Sequence, residues 1–391
     1  MAERPHLMIS AGEASGEHHV ARVLHALHAQ GVSPRTAGMG GPDLAAAGME
    51  ILVDCRDMAI VGIVEVIRHW GRIQRNLARL RCHLRDERPD LLILVDYPEF
   101  NLKLAETARE LGIPVLYYIS PQIWAWRPGR MQRIAGLVDM MAVLFPFEEA
   151  LYARAGVPVR YVGHPLVDEI RPDLDPATAR ATFGAESGET LIGLLPGSRQ
   201  GEIGRLLPTL LDSAREIERL RGPTRFLLPV ASTLDATAIQ DAVDRHGAPV
   251  QVIPGGRAHD VMQICDSVIA ASGTVTLEAA LLRVPMIVVY RVHWLTYLIL
   301  RQLVTIDMIS LVNIVAQRRV VQEFIQGQAE PWRIARETLR TLDDPAYRER
   351  MLTDLDEVRG LLGDKGAPER TARLIQEMLA QRRGERGSDA Y

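Results

Sequence analysis

The sequence predicts an α/β chain of two Rossmann-like, parallel-sheet domains facing a cleft. Short apolar runs, each followed by a turn and a helical pattern, recur along the chain, as expected of strands buried on both faces. This rhythm stops in a stretch rich in Pro, Asp, Gly and Ala, residues 171–189, and then restarts. At 391 residues the chain exceeds one ordinary core, so two domains are the default. The expected division is 1–170, 171–342, a charged helical block 343–381 packing back on the first domain, and a disordered tail 382–391.

Residues 7–10 form the first strand, and the loop Ala11-Gly12-Glu13-Ala14-Ser15-Gly16-Glu17 leads into a helix that ends near Gln30. Ser15 is the candidate N-cap, and Gly12 and Gly16 allow close backbone approach. The loop is neither G-x-G-x-x-G nor a Walker loop, which argues against nicotinamide and ATP sites. His18 and His19 have no partners at metal-ligand spacing.

Residues 58–67 are almost wholly apolar and include Val61, Val64 and Ile67. In the helix that follows, Arg68, Arg72, Arg75 and Arg79 share one face, while Trp70, Ile73, Leu77, Leu80 and Leu84 share another. Such a helix either covers the sheet with a solvated arginine face or lies on an anionic membrane surface.

Residues 91–95 are a buried strand ending at Asp96. In open parallel sheets ligands bind at the carboxyl ends of strands, so Asp96 is a candidate acid or base; the alternative is an Asp that caps the next turn. Pro98 ends the pairing, and a helix is expected over 101–111. After a strand at 115–119, Trp124, Trp126 and Arg127 stand in a proline-bounded loop. Exposed aromatics beside arginine suit a sugar or a lipid head group, and a rigid packed loop suits the same residues. Strands at 140–144 and 159–162 follow, the second leading into Gly163-His164-Pro165.

The second half opens with a strand at 191–195 and the loop Pro196-Gly197-Ser198-Arg199, then a helix with Ile203, Leu206, Leu207, Leu210 and Leu211 on one face. Arginine at a strand–glycine loop–helix junction suits bidentate phosphate binding. Strands at 226–230 and 250–253 come next. Residues 268–271 then form a strand that breaks at Ser272-Gly273-Thr274, opens a helix closed by Pro285, and continues into a strand at 286–290. The loop offers unpaired N–H groups and a positive helix end to an anion such as a diphosphate. Glu278, one turn after Thr274, could accept hydrogen bonds from a ribose, although an ordinary βαβ unit carries the same pattern. The apolar stretch 294–312 is broken by Arg301, Gln302 and Asp307 and is not a membrane span. A short helix is expected over 320–326.

A net charge of −4 argues against a general nucleic-acid binder. Cys55, Cys82 and Cys265 are far apart, without metal-type spacing, which fits a reducing cytosol, and no leader pattern precedes the first strand.

Nine motifs, in order along the chain, carry a resemblance. They are A-G-E-A-S-G-E (11–17), G-I-V-E-V (62–66), V-D-Y-P-E-F-N (95–101), Y-I-S-P-Q-I-W-A-W-R (118–127), L-F-P-F-E (144–148), G-H-P (163–165), L-L-P-G-S-R (194–199), A-S-G-T (271–274) and Y-R (290–291). Together they resemble the lipid-A-disaccharide synthase family of bacterial glycosyltransferases, which have the two-Rossmann GT-B architecture. The resemblance implies transfer of 2,3-diacylglucosamine from UDP-2,3-diacylglucosamine to the 6-hydroxyl of 2,3-diacylglucosamine 1-phosphate, giving a β-1,6 disaccharide and UDP. No metal-type carboxylate cluster accompanies the phosphate loops, so helix N-termini and Arg199 are expected to do the work of a metal ion, with no cofactor; the expected location is peripheral, on the cytoplasmic face of the inner membrane. A homodimer is left open.

By matching motif, Asp96 resembles the general base and Arg199 the arginine that serves the diphosphate. Ser272, Gly273, Thr274 and Glu278 resemble the nucleotide loop and its ribose acid, and Arg291 and Asn313 further donor-site residues. Gly12, Glu13, Ser15, Gly16, Trp124, Trp126, Arg127, His164, Gly197 and Ser198 complete the expected substrate site, with His164, Glu13 and Glu17 as fallback bases. The chain departs from the family pattern at Glu17 and Glu99, where Asp is usual, and at Val312, where Pro is usual. Within the same fold the rivals are a UDP-sugar epimerase and a transferase for soluble sugars. A non-catalytic UDP-sugar-binding protein would need no base at Asp96.

Overall fold

The computed structural model describes residues 4–58, 63–121, 130–292 and 307–388. The chain divides into two compact units, residues 1–168 with 364–391, and 169–363.

The first unit holds seven parallel strands: β1 (His6–Ala11), β2 (Arg35–Gly40), β3 (Glu50–Asp54), β4 (Leu91–Val95), β5 (Val115–Tyr118), β6 (Met140–Val143) and β7 (Val159–Tyr161). Their order is β3-β2-β1-β4-β5-β6-β7, so the winding reverses between β1 and β4. Alternate residues of each strand serve opposite faces, as the two-residue period of a strand requires. Leu7, Ile9, Leu91, Ile93, Leu116 and Tyr118 join one apolar core with the helices Ala14–Ala29 and Ala367–Ser388. Met8, Leu92, Leu94, Val115 and Tyr117 join the other with Ile63–Glu87 and Pro98–Glu110.

The second unit holds six parallel strands: β8 (Leu191–Leu195), β9 (Arg225–Pro229), β10 (Val250–Ile253), β11 (Ser267–Ala271), β12 (Met286–Tyr290) and β13 (Glu323–Ile325). The order β10-β9-β8-β11-β12-β13 repeats the same winding, with its reversal between β8 and β11. The four loops at the two reversals follow β1, β4, β8 and β11. They are the loops that carry Gly12–Gly16, Asp96, Gly197–Arg199 and Ser272–Thr274.

Five expectations are corrected. The stretch expected as a helix at 320–326 contains β13; pairing with β12 outweighs a local pattern too short to fix its own period. The helix expected at 101–111 is Pro98–Glu110, because proline at a first helical position gives up an N–H that has no partner there anyway. Ser15 is not an N-cap: the helix begins at Ala14 after Glu13. The block 343–381 is split. Helix Pro345–Leu361 stays in the second unit and buries Met351, Leu355 and Val358, while the next helix returns to the first unit. Finally, the tail expected to be disordered from 382 continues that last helix to Ser388, since extending an anchored helix costs far less than starting one.

The returning helix is fixed at its start. The Asp168 carboxylate accepts from the N–H groups of Gly366 (2.8 Å) and Ala367 (3.2 Å), and Arg370 donates to the carbonyls of Val162, Asp364 and Lys365. Leu374, Ile375, Met378 and Leu379 are then buried against the sheet core. No helix among the described residues is long and apolar enough to cross a membrane.

Candidate active site

In the first unit β4, buried throughout, delivers Asp96 to the winding reversal. The backbone there is strained. Asp96 (φ 44°) and Tyr97 (φ 47°) are both left-handed, and so is Ile119 (φ 64°), just past the end of β5. Each such non-glycine residue costs about 1–3 kcal/mol and persists only where the surroundings enforce it. They do so here. Asn101, fully buried, donates from Nδ2 to the carbonyls of Asp96 (2.7 Å), Val95 (3.1 Å) and Ser10 (3.3 Å). The Ser10 hydroxyl donates to Asn101 Oδ1 at 2.6 Å, and the Tyr117 hydroxyl donates to the Asp96 carbonyl at 2.6 Å.

The Tyr97 ring lies over Gly12, where a Cβ would come within 2.6 Å of it, and at Gly16 a Cβ would stand 3.0 Å from Val95. Gly12 is therefore needed for the close approach of the two loops, and Gly16 for that of the first helix to β4. The residue at the N-cap of the following helix is Tyr97, whose side chain makes no cap. Burial, then the nearby Glu13 carboxylate, push the Asp96 carboxyl up to about 6, against a hydrogen bond from the Tyr97 N–H. Such a group is ionised at neutral pH and basic enough to take a proton.

Of the fallback bases, Glu13 is exposed at this loop, as is the expected substrate residue Ser15. Glu17 is instead consumed in the structure. Its carboxylate accepts from the N–H groups of Asp43 (2.7 Å) and Leu44 (3.3 Å), capping the helix Pro42–Ala46, and from the Cys55 thiol. His164 is buried, with its ring against Phe145 and its Nδ1 accepting from the Leu166 N–H at 3.2 Å, so it closes a turn. Trp124, Trp126 and Arg127 lie outside the described residues.

In the second unit Gly197 (φ 108°) makes the turn after β8, and a Cβ on it would meet Glu202 Oε2 at 2.6 Å. Ser198 and Arg199 are exposed beside the start of the helix Gln200–Arg221, which has no side-chain cap. Asp175, Asp235 and Asp344, by contrast, cap helices away from the two loops. The Arg199 side chain is 71% exposed and pairs at 3.6 Å with Glu202. Tyr290, at the end of β12, has its phenol pushed up by burial and then by Glu202, against Arg205 and Arg199. Arg205 thus joins the cationic group at this helix start, a residue the sequence reading missed.

After β11 the Ser272 hydroxyl donates to the Ile309 carbonyl at 2.8 Å, and Thr276 closes on the Gly273 carbonyl, leaving Thr274 exposed at the turn. Glu278 lies one turn on, its Oε2 3.2 Å from His259 Nε2. Their hydrogen bond holds the imidazole above its ordinary pKa despite burial. No spacing in the sequence announced His259 as this partner.

Two expected donor residues have other partners. Arg291 donates to the Ala329 carbonyl at 2.7 Å. Asn313, 0% exposed, is saturated. Its Nδ2 donates to Val321 O (3.0 Å) and Glu323 Oε1 (2.8 Å), and its Oδ1 accepts from the N–H groups of Val320 (2.8 Å) and Val321 (3.0 Å). It has no capacity left for a ligand, so direct donor contact is corrected to support. Glu323 in turn accepts from the N–H groups of Ile309 and Ser310, and Ile309 is the residue that holds Ser272. Asn313 is therefore tied to the Ser272–Thr274 loop through Glu323 and Ile309.

The basic helix is partly a covering helix. Leu77, Leu80 and Leu84 are core, Met58 is buried, and Arg72 pairs with Asp57 at 3.8 Å. Trp70 is 50% exposed with Lys103 Nζ 5.2 Å from its ring centre, and Arg75 and Arg79 are exposed. Val61 and the side chains of Val64, Ile67 and Arg68 lie outside the described residues. No three His, Cys, Asp or Glu side chains gather at metal-binding distance among the described residues.

Two doubly wound units of this kind, with glycine loops at both winding reversals, define an α/β protein of the GT-B architecture, shared by glycosyltransferases and UDP-sugar epimerases. Solved structures agree on the fold. A UDP-GlcNAc 2-epimerase from Neisseria meningitidis bound to UDP-GlcNAc aligns with a TM-score of 0.63 at 14% identity, over 96% of this chain and 99% of that one. The calicheamicin glycosyltransferase CalG4 aligns at 0.63 with 15% identity, over 97% and 99%. The family model for lipid-A-disaccharide synthetase matches residues 7–367, and the chain belongs to that family. Lipid-A-disaccharide synthase of Geobacter sulfurreducens is 48% identical over 96% of this chain and 97% of its own length. That of Myxococcus xanthus is 43% identical over 97% and 99%.

Proposed function

We propose that the chain is an inverting glycosyltransferase that joins UDP-2,3-diacylglucosamine to 2,3-diacylglucosamine 1-phosphate, giving the β-1,6 disaccharide 1-phosphate and UDP. The observation that carries this reading is Asp96, a carboxylate raised to about 6 on a left-handed turn at the winding reversal, in a chain of this family. Asp96 takes the proton of the acceptor 6-hydroxyl as that oxygen bonds to the anomeric carbon. The bond from the anomeric carbon to the diphosphate oxygen breaks, and UDP leaves with the electron pair. The charge developing on it is met by Arg199, Arg205 and the uncapped helix start at Gln200. The nucleotide sits at Ser272–Thr274 with its ribose on Glu278. Incubation of the two substrates with the chain should release UDP and the disaccharide in equal amounts. UDP binding without either product would leave a binding protein, and return of the donor as an epimer would leave the epimerase.

The enzyme works on amphiphiles, and we place it peripherally on an anionic membrane surface. The exposed Trp70, Arg75 and Arg79 support this. Each arginine near such a surface contributes about 1 kcal/mol, screened by salt. Sedimentation with anionic vesicles should weaken as salt rises. Equal binding to neutral vesicles would remove the electrostatic part of this reading.

A further inference from the structure

We infer that Asn101, with Ser10 and Tyr117, is the positioning element of the reaction: a buried cradle that grips the main chain of Asp96 and thereby fixes where its carboxylate stands. The inference rests on the reading of Asp96 as base. Asn101 bonds to main chain and to the Ser10 hydroxyl, and the Tyr117 hydroxyl bonds to the Asp96 carbonyl, so the grip falls on the peptide and not on the carboxylate. Asn101 spans the winding reversal, binding the end of β1 through Ser10 and the end of β4 through Val95 and Asp96. Tyr117 reaches the same Asp96 carbonyl from β5. Three adjacent strands thus converge on one peptide, and that peptide joins two consecutive left-handed residues, Asp96 and Tyr97.

Left to itself this turn would relax to an ordinary conformation and carry the carboxylate with it. The burial that makes Asp96 basic would go at the same time, since a relaxed carboxylate gains water. Position and basicity are therefore set by the same bonds. The charged groups facing Asp96 are Glu13, from the turn after β1, and the N–H dipole of Tyr97; the cradle itself is uncharged.

Tyr117→Phe deletes one hydroxyl and keeps the buried ring. The prediction is a fall in kcat of about 10- to 100-fold, on the scale of a ~1 Å misplacement, with KM for both substrates unchanged. The acid limb of the kcat profile should also move from about 6 toward the ordinary carboxylate value of 3.8. Asn101→Ala should act in the same direction and more strongly. If that variant does not fold, as thermal melting will report, Tyr117→Phe carries the test alone. A lower kcat with the acid limb unmoved overturns the inference, because loss of folded protein gives that result without any change at Asp96. So does a Tyr117→Phe enzyme with normal kcat while Asp96→Asn is inactive. If Asp96→Asn itself turns over normally, the base is elsewhere and the reading of Asp96 falls together with the cradle's role.

Discussion

Asp96 at neutral pH is a charge held where charge is disfavoured. Its carboxyl rises from 3.8 to about 6, chiefly through burial. The folded chain therefore binds this proton more tightly than the unfolded one, and ionisation costs stability as pH rises through 3.8 toward 6. Above that window the cost reaches about 3 kcal/mol at ~1.36 kcal/mol per pH unit. Asp96→Asn should thus be more stable than the parent at pH 7.5 and no more stable at pH 3.5, as urea titration at the two values would register. Equal stability of the two at pH 7.5 would mean that the carboxylate is well solvated, and a less stable variant that it is held by favourable partners.

Asn313 obeys the opposite logic. All its hydrogen-bonding capacity is spent within the fold, so Asn313→Ala leaves Glu323 and two buried N–H groups short of partners. The expected loss is about 1–3 kcal/mol of stability. Weaker UDP binding should follow through Ile309 and Ser272. Weaker UDP binding with an unchanged melting temperature would return Asn313 to direct ligand contact. The sequence marks Asp96 because it ends a buried strand. It does not mark the left-handed turn, nor the partners Ser10 and Asn101, which meet across 91 residues. Those depend on which strands become neighbours.

At the scale of elements, parallel strands were legible because burial on both faces leaves short apolar runs that glycine and proline punctuate. The three-residue β13 was not legible, since its strand character comes from pairing with β12. The helix Ile63–Glu87 reads in two ways because one sequence stripe meets both the sheet and the surroundings. Of the block 343–381 expected to pack back on the first domain, only the helix Ala367–Ser388 lies in the first unit, anchored at Asp168. Its buried stripe makes it part of the core of the first unit. Ile375→Ala should therefore cost about 2–5 kcal/mol in a denaturant titration. A loss under ~0.5 kcal/mol, the range of a surface substitution, would mean that this helix is only peripheral.

At the scale of the molecule the same strand order is used twice, and each copy places its chemistry at the reversal of winding. One copy presents a carboxylate raised in basicity, the other an uncapped helix start with arginines and a loop followed by Glu278 paired with His259. A transferase needs both functions: a base for the nucleophile and stabilisation for the leaving group. The most direct measurement is the turnover of Asp96→Asn with both lipid substrates saturating, beside its affinity for UDP. If Asp96 is the base, kcat falls by roughly 10²–10⁴-fold while UDP affinity stays at the parent value. Near-normal turnover in Asp96→Asn would contradict that role.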